Sequence, residues 1–130
     1  MKVKLNYLDC WNEGRRAAAC RYDQLLSKLP VTRPCEAPGV HHVYHQYTIR
    51  TPQRDRLAGH LKERDVSTMV YYPTPLHRQG LYSSLSCAKG SLPVSEAVSR
   101  EVLSLPMFPE LDETRQRLIA QAIGEFYGQS

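Results

Sequence analysis

The longest periodic segment of this 130-residue chain is its first. Over residues 2–28, Leu5, Leu8, Cys10/Trp11, Ala18, Tyr22, Leu25 and Leu26 recur at spacings near three and four. That is the period of one helix face, so the segment reads as a single helix whose apolar stripe the rest of the chain must cover. Arg15, Arg16, Arg21 and Asp23 fall largely on other faces. Gly14 weakens the middle by about 1 kcal/mol relative to alanine without breaking it, and Pro30 ends it. The start has no capping residue: Met1 runs straight into "KVKL". A helix that begins at full stride reads as the remainder of a longer one.

Residues 30–40, "PVTRPCEAPGV", hold three prolines and a glycine and form an extended connector. Residues 41–50, "HHVYHQYTIR", are rich in β-branched and aromatic types and read as a strand. Alternation puts Val43, His45, Tyr47 and Ile49 on one face and Tyr44, Gln46, Thr48 and Arg50 on the other. Residues 52–64 read as a helix with Pro52 near its first turn and Leu57 and Leu61 inward, and residues 66–72, "VSTMVYY", as a second strand.

A helix over about 93–101, a brief third strand in "VLSLP" and a closing helix complete the order. Asp112 is the expected N-cap of that last helix, with Leu118, Ile119, Ala122, Ile123 and Phe126 buried. The expected fold is α/β (α+β): a small sheet of about three strands packed with helices in the order α-β-α-β-α-β-α. At this length one domain is expected.

A formal charge of +4 accompanies a sequence pI of about 9.0. The basic residues are mixed with acids in "EGRR", "QRDR", "KERD" and "ETRQR". Nucleic-acid binders concentrate positive charge on one face, so these runs read as solvated helix surfaces and no nucleic-acid partner is expected. No apolar run approaches the roughly 18 residues of a membrane span, and "MKVKLNYLDCWNE" has no signal-peptide core. A cytoplasmic location is the expectation. Cys10, Cys20, Cys35 and Cys87 include no C-x-x-C pair and read as free thiols.

Three constellations raise the question of chemistry. His41, His42 and His45 are close in sequence. On a strand, however, His41 and His45 stand about 13 Å apart at roughly 3.3 Å per residue, and His42 points to the opposite face. No metal site is expected. Ser86-Cys87-Ala88-Lys89 matches S-x-x-K, but the S-D-N and K-T-G partners of that motif are absent and the match reads as chance. The densest group of polar aromatics is "VYYPTPLHRQGLY", residues 70–82, where a strand runs into a proline-rich turn bearing Tyr71, Tyr72, His77 and Tyr82.

Read as ordered blocks, the chain resembles the C-terminal small domain of the DegT/DnrJ/StrS family of pyridoxal-phosphate-dependent sugar aminotransferases. "VKLNYLDCWNEGRRAAACRYDQLL" resembles the helix joining that family's large and small domains. "VYHQYTIR" resembles its V-x-H-x-Y strand. "RDRLAGHLKERDVSTMVYYPTPLHRQGLY" resembles its R-D-x-L-x-x-x-L segment and Y-P-x-P-L-H turn. "LPVSEAVSREVLSLPMFPEL" resembles its L-P-x-x-E block.

The resemblance implies a fold type I architecture, usually dimeric. It implies transfer of an amino group, commonly from glutamate, to a nucleotide-linked keto-sugar, with pyridoxal phosphate held on a lysine of the large domain. It divides the chain into a linking helix (1–29), the connector (30–40) and an α/β small domain (41–130). It makes His45, Tyr47, Tyr72 and His77 the candidates for contact with substrate. The chain's lysines are Lys2, Lys4, Lys28, Lys62 and Lys89, and none matches the family's cofactor lysine. The expectation is therefore a truncated small domain that binds no cofactor alone, is inactive alone, and pairs with itself or with a separate large domain. A stand-alone interaction module and a regulatory role are the alternatives.

Overall fold

The computed structural model describes residues 2–82 and 92–128. Ser86, Cys87 and Lys89 lie outside them, so the S-x-x-K match is not placed.

The expected first helix is divided. α1 spans Lys2–Leu5 and α2 spans Leu8–Leu25. At the junction the Tyr7 amide reaches back only three residues, to the Lys4 carbonyl, before Trp11 N–H to Tyr7 C=O restarts the α-helical ladder. The stripe is buried only toward its C-terminal end. Ala18, Ala19, Tyr22 and Leu26 are in the core, whereas Leu5, Leu8 and Cys10 are exposed and Trp11 half-buried. Gly14 has a packing reason. A Cβ there would come within 2.8 Å of the Pro109 carbonyl oxygen and 3.2 Å of its Cα, so α2 passes the 106–112 segment at a distance only glycine permits.

The connector returns along the sheet edge, where Thr32 and Arg50 exchange both backbone hydrogen bonds. β1, Tyr47–Arg50, pairs antiparallel with β2, Val102–Leu105, in the register Tyr47 to Leu105 and Ile49 to Leu103. The expected strand over 41–50 is regular only from Tyr47. Tyr44 sits at φ 46°, in the left-handed region, which reverses the pleat and breaks the alternation upstream. Val43 and His45 are therefore exposed and Tyr44 is buried. The expected strand at 66–72 contributes one bridge, Met69 with Ser104. Among the described residues the sheet thus has two strands flanked by two single-residue bridges, Thr32 with Arg50 and Met69 with Ser104, within a mixed helix-and-strand fold.

α3 spans Arg54–Lys62 and buries Leu57 and Leu61. α4 spans Pro93–Glu101, with proline in its first turn, and leads straight into β2. α5 spans Glu113–Phe126; its cap is the expected one, Asp112 Oδ1 accepting from the Arg115 amide at 2.8 Å. Its buried face is rotated from the expected one. Leu118 is exposed, and Gln116 is wholly buried in its place.

Gln116 is held because its polar atoms are all used. Its Nε2 donates to the Ala18 carbonyl at 2.7 Å, and its Oε1 accepts from Arg21 Nε at 2.6 Å. Arg21 also donates to the Leu111 carbonyl at 2.7 Å. This satisfied network locks α2 to α5 inside an otherwise apolar contact. Cys10, Cys20 and Cys35 are unpaired and exposed. No helix among the described residues is long and apolar enough to cross a membrane.

Candidate functional site

The proline-rich turn and α4 enclose a cleft of about 700 Å³, within the range of small-molecule sites. Sequence dictates the turn. Pro73 and Pro75 fix φ and hold the chain extended, and Pro75 (ψ 146°) leads into a short 3₁₀ turn, Leu76–Arg78, followed by a second at Gly80–Tyr82. Tyr71, Tyr72 and Leu76 form one wall of the cleft; Leu92, Val98 and Val102 form another. Polar groups are set among these apolar side chains: the phenols of Tyr71, Tyr72 and Tyr82, the His77 ring, the Gln79 amide and the hydroxyls of Thr74, Ser95 and Ser99.

One carboxylate ties the two walls together. Glu96, on the first turn of α4, takes four hydrogen bonds on a single oxygen. His77 Nε2 is 3.0 Å from Oε1, Arg78 Nη2 3.0 Å, Arg78 Nε 3.3 Å, and the Leu92 amide 3.2 Å. The His77 bond first, then Arg78, then the Leu92 amide hold the Glu96 carboxyl down to about 2, because each favours the charged form. The bond to Leu92 also satisfies an amide at the start of α4 whose N-cap position carries no capping side chain.

The four candidates from sequence fall in different places. Tyr72 and His77 both line the cleft, Tyr72 largely exposed and His77 buried. His45 is exposed and lines a neighbouring groove that shares Tyr71 with the cleft. Tyr47 is a core residue. It is fully buried, stacks on Tyr22 at 4.8 Å between ring centroids, and gives its hydroxyl to Asp23 Oδ1 at 2.6 Å. Burial, and then that carboxylate, push its phenol far above the usual range.

Glu96 went unread in the sequence as a member of the site. Its signal was the spacing L-P-x-x-E, in which an acid four residues after Leu92 can reach back to the helix start. The pattern His41, His42, His45 does not follow strand geometry here, since 41–46 is irregular; among the described residues no group of three potential ligands is placed to hold a metal.

A two-stranded sheet with helices packed against it, and a largely apolar cleft beneath the proline-rich turn, define a small mixed helix-and-strand domain. The chain belongs to the DegT/DnrJ/EryC1/StrS aminotransferase family, whose model matches residues 1–124. It is 48% identical over 130 residues to the "Pleiotropic regulatory protein" of Geobacillus stearothermophilus, covering 98% of this chain and 35% of that protein. It is 37% identical to the dTDP-3-amino-3,4,6-trideoxy-alpha-D-glucose transaminase of Streptomyces venezuelae, over 97% of this chain and 34% of that protein. The crystal structure of DesV from S. venezuelae superposes with a TM-score of 0.93 at 36% identity, over 99% of this chain and 35% of that one. The chain therefore spans about a third of the length of the relatives it matches.

Among the described residues, no lysine or arginine lines the cleft, and Lys4, Lys28 and Lys62 are exposed. The lining offers hydroxyl, phenol and imidazole groups against an apolar wall, a set suited to a hydroxyl-bearing group.

Proposed function

We propose that this chain is the small domain of a nucleotide-sugar aminotransferase, and that the cleft beneath the Tyr72–His77 turn is part of the substrate side of the active site. In this reading residues 1–29 link to a cofactor-bearing large domain, 30–40 are the connector and 41–130 are the small domain. The 130 residues by themselves bind no pyridoxal phosphate and carry out no transamination. The observation that carries the reading is the cleft: phenol, imidazole and hydroxyl groups converge on it, and among the described residues no lysine lines it. Incubation with pyridoxal phosphate and L-glutamate tests it. The expected result is 2-oxoglutarate at the protein-free rate; production in proportion to protein overturns the reading.

A second reading concerns assembly. Val3, Leu5, Tyr7 and Leu8 are all exposed at the start of the chain, and Tyr7 stacks on Trp11 at 5.9 Å. Adjacent exposed apolar residues favour association. This row is a surface for the large domain or, in its absence, for a second copy of the chain. Light scattering on the purified protein distinguishes these outcomes: a dimer supports self-pairing, and a monomer leaves the row to the large domain.

A further inference from the structure

We infer that Glu96 is a positioning residue that fixes the proton of the His77 ring on Nε2, so that Nδ1 stands toward the cleft as a hydrogen-bond acceptor for a hydroxyl of a bound sugar. This deepens the functional reading above and rests on it.

Arg78 and the Leu92 amide can only donate, and both converge on Oε1 of Glu96. Any group at that point must therefore accept. His77 Nε2 lies 3.0 Å from the same oxygen, and two acceptors do not hold that distance, so Nε2 carries the proton. In a neutral imidazole the other nitrogen then has a free lone pair. Among the described residues Glu96 is the hydrogen-bond partner of the ring, and it is not part of the cleft lining, whereas His77 is. The Nε2 edge thus faces the helix, and Nδ1, on the other side of the ring, is left for the cleft. An acceptor there takes a hydroxyl hydrogen and repels a phosphate oxygen, so this wall selects the sugar end of a nucleotide-sugar rather than its diphosphate. Tyr72, on the same wall, adds a phenol that can donate or accept.

Long-range proton–nitrogen spectra of ¹⁵N-labelled protein, taken well above the usual histidine range near pH 6.5, show which nitrogen of His77 carries the proton. Wild type is expected to show a single Nε2–H tautomer. Glu96→Gln keeps it, because Arg78 and Leu92 orient the amide oxygen to the same point. Glu96→Met removes the acceptor and gives mixed tautomers. Arg78→Ala loosens the turn but leaves the acceptor, so the tautomer is retained. Titration with dTDP-glucose at about millimolar concentration is expected to shift Nδ1, with Kd weakened roughly fivefold in Glu96→Met, as for loss of one neutral hydrogen bond.

A wild-type ring protonated on Nδ1, or mixed, overturns the inference whatever the chain does as a domain. Equal scrambling in Glu96→Met and Arg78→Ala overturns it by reducing Glu96 to a general brace. A fixed tautomer whose Nδ1 is unmoved by dTDP-glucose overturns the acceptor role and counts against the cleft as a sugar site.

Discussion

His77 and Glu96, nineteen residues apart, meet at 3.0 Å and join the proline-rich turn to the first turn of α4. The same carboxylate oxygen holds Arg78 and the Leu92 amide. The turn is therefore shaped by its prolines and anchored by one acid.

That anchor has a pH window. The Glu96 carboxyl ordinarily titrates near 4.5 and is held down to about 2. Its stabilising contribution is thus fully present above 4.5 and is lost as pH falls toward 2. Urea midpoints measured from pH 6 to pH 2 are expected to fall more steeply in wild type than in Glu96→Gln over that interval. Parallel curves would show that the carboxylate's charge does not hold the turn. Glu36 and Glu125 are also held low, by Arg16 and by Gln121 with Arg64 respectively, and their contribution cancels in the comparison.

Gly14→Ala is expected to destabilise the fold although alanine is the better helix former. The added methyl meets the Pro109 carbonyl oxygen, which is backbone and cannot swing aside. Overpacking of this kind costs about 1–3 kcal/mol, against a propensity gain of about 1 kcal/mol. A thermal midpoint equal to or above wild type would contradict the close approach.

Gln116→Leu conserves volume but leaves Arg21 without one of its two acceptors and removes the donor to Ala18. A loss of about 1–3 kcal/mol is expected for buried polar groups stripped of partners. Equilibrium urea unfolding measures it, and an unchanged midpoint would mean that the network holds no weight in the α2–α5 contact.

Tyr47 and Tyr72 are expected to separate stability from binding. Tyr47→Phe strips a charged acceptor, Asp23, of its donor and lowers stability by about 1.5–3 kcal/mol, with dTDP-glucose affinity unchanged. Tyr72→Ala, at an exposed cleft position, leaves the midpoint within about 0.5 kcal/mol of wild type and weakens the ligand. The reverse pattern would reassign both residues.

Legibility in the sequence followed the strength of local rules. α4 begins at its proline and α5 at its aspartate cap, since both signals act within one turn. β1 was read too long because one residue, Tyr44, adopts positive φ, which no alternation pattern announces. Residues 66–72 have strand composition yet, among the described residues, pair at Met69 alone, because pairing depends on a partner edge remote in sequence. Leu118 is expected inside and is exposed, while Gln116 is buried through a hydrogen-bond network across two helices that hydrophobic periodicity does not announce. Tyr72 and His77, which the block pattern names, both line the cleft. Glu96 is not legible in that pattern, because its role is set by the fold that brings it to His77.

The proposed function leaves these residues without an attachment point for pyridoxal phosphate. Reduction with borohydride after incubation with pyridoxal phosphate, followed by intact-mass and peptide analysis, tests it most directly. No stoichiometric adduct is expected, only sparse labelling shared among surface lysines such as Lys4, Lys28 and Lys62. A single adduct at one lysine with full occupancy would contradict it.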